Sequence, residues 1–496
     1  MVAPELSSDV GVHEIVYYLK KIFEGHLARK IIRKLSNPKR VERILSIYCG
    51  VEKAKGLKER IYSEGFSRIV ATAAKKFDID EDTLRRGLKN KYYRKGLANV
   101  IMGIAEFGIT MPQKLYAPFL VVWNFTKKCN LKCKHCYANA GKAEYELSLK
   151  EKIDVVDQLD QAGVVAISFS GGEPLIHKDL WPVAEYASNL GMHVSVATNG
   201  TLIDEGTARR LKEVGVDYVE ISLDAAKSED HDYFRGVPRA FERSVEGIKN
   251  CIREGIQTAI ATTVTSLNLN QIPEIVSLAE ELGVCRLVVF NFIPTGRGKE
   301  IVNLDLDIDE RELLLEYLYD ELQESSLQVL STSPVFAVVA VRKYLENKGK
   351  KIAPTHFADV CMPTDGALIL SEFIGGCGAG RLYCGIQPNG DITPCVFMPI
   401  VVGNVKEGFL QVWQQNEILQ ALRDRDRKDY ACRDCGYRYI CGGCRARAYG
   451  YFGDYLGFDP GCHIKRVPLS IIYGKQALNY AKTRSTFESP LLYHQK

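Results

Sequence analysis

Residues 129–136 read Cys129-Asn-Leu-Lys-Cys133-Lys-His-Cys136 and follow directly on the largely apolar run 119–125. A short loop with C-x3-C-x2-C spacing can turn three sulfurs toward one point, as an iron–sulfur cubane requires. A structural zinc knuckle is the competing reading. Tetrahedral zinc or a cluster ligated by four thiolates needs a fourth ligand nearby, and no further cysteine follows within the next hundred residues. Three protein ligands leave one iron open to bind and act on a small molecule.

Outward from this loop the chain alternates between two periodicities. Short apolar runs at 119–125, 164–170, 193–197, 218–223, 257–264 and 286–292 read as strands, and segments 149–162, 180–190, 207–214, 241–254 and 272–282 carry helical spacing. Such repeats predict an α/β fold on a parallel sheet, either open or curved into a partial barrel. Polar residues and glycines gather at the carboxyl ends of the strands, where sites on such sheets form. They are Ser170-Gly171-Gly172-Glu173-Pro174, Thr198-Asn199-Gly200, Glu220-Ile-Ser222-Leu-Asp224 and the run 291–298, which contains Pro294-Thr-Gly-Arg297.

The cysteine loop, with His135 before its last cysteine and Tyr137 after it, resembles the signature of the radical S-adenosylmethionine (SAM) enzymes. The resemblance implies a (β/α)6 partial-barrel core and a 4Fe–4S cluster on Cys129, Cys133 and Cys136. The open iron of that cluster would chelate SAM and cleave it reductively to a 5′-deoxyadenosyl radical that abstracts hydrogen. Gly171, Gly172 and Glu173 match the family's GGEP motif and would hold the SAM amino group. By the same resemblance Tyr137, Thr198, Asn199, Ser222 and Asp224 would line the SAM cavity, Arg235 would approach the methionine carboxylate, and the Pro-x-Gly-Arg segment would lie near the adenine.

A second array lies further on. Cys377 precedes Cys384 and Cys395, then Cys432, Cys435, Cys441, Cys444 and Cys462 follow. A zinc ribbon over 432–462 is again a competitor. The array resembles the SPASM domain, with two residues rather than the usual three before the cysteine matching Cys444. By the family's pairing, Cys377, Cys395 and Cys444 would hold one auxiliary 4Fe–4S cluster, with Cys384 either as fourth ligand or as a bystander that leaves one iron open. Cys432, Cys435, Cys441 and Cys462 would hold the other, giving three clusters in all.

Eleven of the 15 cysteines thus fall in clustered spacings, which in a chain without a signal-peptide pattern reads as metal binding rather than disulfides. The expected setting is a reducing, anaerobic cytoplasm. The 496 residues exceed one ordinary domain, and five units are expected. These are a basic helical unit (1–115), the core barrel (116–304), a helical connector (305–376), the cluster domain (377–466) and a C-terminal tail (467–496). Residues 1–115 carry 23 Lys/Arg against 13 Asp/Glu. Their basic residues, Arg29, Lys30, Arg33, Lys34, Lys39, Arg40, Lys89, Lys91, Arg94 and Lys95, form either a solvated helical face or a surface for anionic lipid headgroups or an anionic substrate, with peripheral membrane contact. No nucleic-acid partner is expected. The expected electron donor is a ferredoxin or flavodoxin. Peptide or protein, tetrapyrrole and lipid or isoprenoid substrates all remain open, and a non-enzymatic electron carrier is the reading from a different class.

Overall fold

Why the sheet forms is visible in its first strand, β1 (Leu120–Thr126), where Val121, Trp123 and Phe125 are fully buried against the helical layer while Leu120 and Val122 face the other way. A period of two with bulky apolar residues on one face commits the strand to a two-layer packing. The computed structural model describes residues 37–76, 81–141, 145–347 and 375–464. Strands β2 (Ala166–Gly171), β3 (His193–Thr198), β4 (Tyr218–Ser222), β5 (Gln257–Val264), β6 (Arg286–Asn291) and β7 (Gln328–Ser331) add in parallel, in chain order, along one side of β1. Their helix-facing residues, among them Ile167, Phe169, Val194, Val196, Val219 and Ile221, join one continuous core.

The other edge of β1 is taken by β8 (Tyr383–Ile386), parallel to it, with β9 (Asp391–Thr393) and β10 (Gly403–Asn404) antiparallel beyond. One expectation is corrected here. The connector after residue 305 is not purely helical, because β7 extends the sheet; a run of four residues is too short to show a period. The cysteine-rich C-terminal segment shares the sheet of the core, since β8 hydrogen-bonds to β1.

Local signals fix the helices. The N-terminal unit comprises α1 (Pro38–Tyr48), α2 (Leu57–Lys76), α3 (Glu81–Gly87) and α4 (Lys91–Phe107). In the core, α5 (Leu149–Ala162) starts on a Ser148/Glu151 capping box and stops at Gly163 in the left-handed region. It is followed by α6 (Leu180–Asn189), α7 (Glu205–Glu213), α8 (Ser228–Arg235), α9 (Ala240–Arg253), α10 (Ile272–Leu282), α11 (Ile308–Glu324) and α12 (Val335–Asn347). The C-terminal segment adds α13 (Phe409–Gln415), α14 (Glu417–Arg423) and α15 (Arg445–Phe452).

The basic N-terminal unit docks on the barrel through the charges that composition offered to a membrane. Lys95 and Lys39 converge on Asp160 of α5 at 2.9 and 2.6 Å, and Lys91 donates to the carbonyl of Leu190. Asn99 reaches the carbonyls of Ala117 and Gly163. Arg94 donates to the carbonyls of Leu88 and Lys89. Tyr92 packs edge-on against His193 at the amino end of β3, so α4 covers that end of the barrel. Arg40 and Lys89 stay exposed, and Arg29, Lys30, Arg33 and Lys34 lie outside the described residues. Among the described residues no helix is long and apolar enough to cross a membrane.

Lys95 and Asp160 are both nearly buried, so removing one partner strands the other charge. Asp160→Ala is expected to cost about 3 kcal/mol, read as a lower urea midpoint, whereas Arg40→Ala should change it by less than about 0.5 kcal/mol.

Candidate active site

The loop after β1 is held in place by backbone. Lys132 and Lys134 donate to the carbonyls of Arg235 and Phe234 at the end of α8, Gly172 donates to Thr126 and Glu173 to Lys128. Arg297 closes the other side, its backbone N–H on the Cys136 carbonyl at 3.0 Å and its guanidinium on the carbonyls of Cys133 and Ala140. The Pro-x-Gly-Arg segment therefore clamps the cysteine loop, a role that the adenine-side expectation did not include. Gly296, at φ +56°, lies so close that an added Cβ would be driven into the carbonyl oxygens of Cys136 and Tyr137.

Within this clamp Cys129, Cys133 and Cys136 share one small apolar cluster with Leu131, Ala240 and Val237. Burial pushes the Cys129 thiol up to about 12 and raises Cys133 as well. Iron ligands must be thiolates, so these sulfurs are costly to ionise unless a cation binds among them. Arg235 supplies part of the compensating charge: its guanidinium lies 3.7 Å from Cys133 Sγ and 2.6 Å from Asp224 Oδ2. Burial pushes the Asp224 carboxyl up, but Arg235, His135, His231 and the Thr263 N–H together outweigh it and hold the group below the usual range. Asp224 also accepts from Thr263 N–H and is 1% exposed. The expectation that Asp224 faces the SAM cavity is corrected: its carboxylate is turned into the protein, behind Arg235. Arg235 itself bears on a cysteine sulfur.

Glu173 differs in the same way. It is fully buried, and its oxygens accept from Leu175 N–H (3.1 Å), Thr198 Oγ1 (2.7 Å) and Asn199 N–H (2.8 Å). The carboxylate thus braces the turn after β3, and Asn199 in turn reaches back to Asn130 in the cysteine loop at 2.9 Å. Glu173, Thr198 and Asn199 form one linked unit beside the cysteines, with Gly171 and Gly172 against the backbone of Thr126 and Lys128.

The inner face of the barrel is polar and lined by small residues. Tyr137 projects onto it, its hydroxyl 3.0 Å from both Asn124 Oδ1 and Ser170 Oγ and its ring tilted on Phe397 at 4.7 Å. Ser222 and Glu220 alternate on the same face of β4. The cross-strand neighbours of Glu220 are Ala197 and Ala259, so methyl groups leave space on both sides of its carboxyl. Burial, opposed by Arg286, raises Glu220 to about 7. Sequence reading quoted Glu220 without giving it a role. Only the sheet register shows that it stands between two alanines.

The C-terminal thiols fall into two groups. Cys377, Cys395 and Cys444 share an apolar cluster with Tyr383, Met398 and Ile293. Cys432 and Cys462 both act electrostatically on Cys441, and Cys435 packs beside Cys432. Cys384 is a correction. It is fully buried in the main core, across from Val121 on β1, and its neighbour Tyr383 faces the thiols instead, because successive residues of β8 point to opposite faces.

The surroundings of these thiols suit an anionic group. Arg425 is 2% exposed and hydrogen-bonds four carbonyls, those of Gly375, Cys377, Arg438 and Tyr439. Arg445, equally buried, bonds the carbonyls of Gly443, Tyr455 and Gly457 and lies 3.9 Å from Cys432 Sγ. Among the described residues neither guanidinium hydrogen-bonds a carboxylate, although Asp459 acts on Arg445 electrostatically. Thiolate-ligated clusters would supply the negative charge that such burial requires.

Comparison with known proteins agrees with this arrangement. The radical SAM superfamily model matches residues 123–279, and the iron–sulfur cluster-binding SPASM model matches residues 377–436. An AdoMet-dependent heme synthase of Methanosarcina barkeri is 34% identical over 70% of this chain and 96% of its own length. The mycofactocin maturase MftC of Mycolicibacterium smegmatis is 32% identical over 70% of this chain and 83% of its own. Among solved structures, Streptococcus suis SuiB bound to S-adenosylmethionine superposes with a TM-score of 0.60 at 21% identity, over 82% of this chain and 90% of that one.

Two expectations follow from the geometry. Gly296→Ala should loosen the clamp on the cysteine loop, and iron analysis should then show loss of about four irons with the C-terminal clusters retained. Glu220→Gln should reveal a pH-dependent stability difference. The folded wild type keeps the Glu220 proton up to about pH 7, whereas the ordinary value is 4.5. The proton-linked stability is therefore complete below that value and is lost as pH rises toward 7. The Tm of the variant minus that of the wild type should grow across this window and then level off.

Proposed function

From the chain's membership of the radical SAM superfamily, with a SPASM cluster-binding domain in the same sheet, we propose that it is a radical oxidase whose substrate lies along the inner face of the barrel. Bound at Cys129, Cys133 and Cys136, a 4Fe–4S cluster supplies reductive cleavage of SAM. The protein's own part is positional. Arg297 and the α8 carbonyls fix the cysteine loop, Glu173 braces Thr198 and Asn199 beside it, and Arg235 places a positive charge on Cys133. Cys377, Cys395 and Cys444 are assigned to one auxiliary cluster, and Cys432, Cys435, Cys441 and Cys462 to the other, as sinks for the electron that an oxidised substrate gives up.

The observation that carries this reading is the contact of Tyr137 with Phe397. Tyr137 adjoins Cys136 and Phe397 lies two residues past Cys395, so the SAM side and the auxiliary side meet over the inner face. A non-enzymatic electron carrier would leave the braced Glu173–Thr198–Asn199 unit and the Glu220 carboxyl on the inner face without a use.

For the substrate we favour an iron tetrapyrrole. The support is that relatives named as heme synthase and Fe-coproporphyrin III synthase align over 96% and 88% of their own lengths. A peptide is the second reading, supported by the likeness to MftC. A cytoplasmic, anaerobic setting and a ferredoxin or flavodoxin donor belong to the same proposal. Lipid substrates lose part of their support, because Lys95 is buried against Asp160 and the exposed Lys39 and Lys91 pair with Asp160 and the Leu190 carbonyl.

Anaerobically prepared protein should contain about twelve irons and form 5′-deoxyadenosine with dithionite, and the Cys129/Cys133/Cys136→Ala triple variant should hold about eight and form none. About four irons plus zinc in the wild type would overturn the auxiliary-cluster assignment. Incubation with iron coproporphyrins and, separately, with candidate precursor peptides, followed by mass spectrometry, decides the substrate class. Loss of hydrogen or of a carboxyl group from the tetrapyrrole is the expected result, and modification of a peptide alone would replace it by the second reading.

A further inference from the structure

Tyr383 opens β8 opposite Leu120 of β1. Its phenol oxygen lies 2.7 Å from Cys395 Sγ, and its ring packs in the apolar cluster that contains Cys377, Cys395 and Cys444. The next residue, Cys384, is fixed by the strand's alternation on the other face, inside the main core. Among the described residues three thiols therefore surround this site, and a phenol stands where β8 would otherwise present Cys384. The backbone N–H groups of Phe397, at 3.4 Å, and Met398 also act on the Cys395 sulfur; among the described residues Tyr383 is the side chain that does so.

We propose that Tyr383 sets the reduction potential of the cluster held by Cys377, Cys395 and Cys444, by donating its phenolic hydrogen to the Cys395 sulfur. This deepens the oxidase reading and rests on its assignment of those three cysteines to a cluster. An iron-bound thiolate gains negative charge when its cluster is reduced, so a donor on that sulfur stabilises the reduced state more than the oxidised one. The potential rises. The position suits the role. Phe397, which continues from Cys395, touches Tyr137 on the inner face, so this is the auxiliary site that the substrate side of the barrel meets. A higher potential here favours one-electron oxidation of a substrate radical. Strand register sets the donor's face: the pairing of Tyr383 with Leu120 directs the phenol toward the thiols and Cys384 away from them.

The test is potentiometric EPR on the full-length, anaerobically reconstituted protein, wild type beside Tyr383→Phe, with iron analysis of both. The expected result is equal iron content, an auxiliary signal that moves to lower potential in the variant, and a SAM-cluster signal that stays in place. If Tyr383→Phe does not fold, 3,5-difluorotyrosine at position 383 replaces it. The more acidic phenol is a stronger donor, and the same signal should move to higher potential.

An auxiliary potential unmoved by either change would overturn the inference and leave Tyr383 a packing residue. Loss of about four irons, or conversion to a three-iron signal, would also overturn it by making the tyrosine a ligand. Wild-type protein with no auxiliary signal at all would instead fail the underlying reading, and this is visible before any variant is compared.

Discussion

β1 is hydrogen-bonded on both edges, and the rest of the molecule depends on that. On one side Leu120 pairs with Ala166 of β2, on the other with Tyr383 of β8. The strand that launches the cysteine loop is thus paired directly with β8, whose Tyr383 packs among Cys377, Cys395 and Cys444. Register makes the arrangement strict. A slip of one residue between β8 and β1 would exchange the faces of Tyr383 and Cys384, putting a phenol into the hydrophobic core and a thiol beside Cys395. Phe119 and Leu120 both donate to the carbonyl of Leu382, which pins the entry to this pairing.

A second tie runs at the opposite side of the barrel. Asp305 takes Arg311 at 2.7 Å from α11 and Arg447 at 2.7 Å from α15, with Tyr451 also donating to it. Burial raises the Asp305 carboxyl, but the two guanidiniums outweigh it and keep it ionised. Arg447 lies three residues past Cys444, and Asp459, which accepts from Cys444 N–H at 2.7 Å, lies three residues before Cys462. A charged network inside the protein therefore sets the last two cysteine segments against the end of β6. Such a network contributes little net stability when intact but is costly to break at one member, which suits a device that specifies position.

Much of this was legible in the sequence because the signals were local. The loop 129–136, the GGEP turn and the strand–helix rhythm from residue 116 each depend on neighbours a few positions apart. What was misread depends on contacts between distant segments. Asp224 was expected in the cavity because it ends a strand, yet an arginine eleven residues later turns it inward. Cys384 was grouped with the cluster ligands because spacing counts cysteines and not faces; the alternation that excludes it becomes meaningful only once β8 is known to pair with β1. Lys39 and Lys95 read as a solvated or lipid-facing surface because Asp160, their shared partner, belongs to another unit. Glu220 carried no signal at all, since its surroundings are two alanines contributed by neighbouring strands.

Arg425 and Arg445 have a consequence for biogenesis. In a chain that has not received iron, both charges sit in the interior among carbonyls and neutral thiols, close to the other buried arginines of this segment. Carbonyl hydrogen bonds, and for Arg445 the Tyr430 ring and the nearby Asp459, offset part of their desolvation, and thiolates arriving with iron would supply the negative charge that is still missing. Closure of residues 375–464 would therefore be tighter in the iron-loaded protein than in the chain before loading. Iron supply would then bear on how firmly β8 covers its edge of β1, an edge of the kind that proteases and aggregating partners recognise.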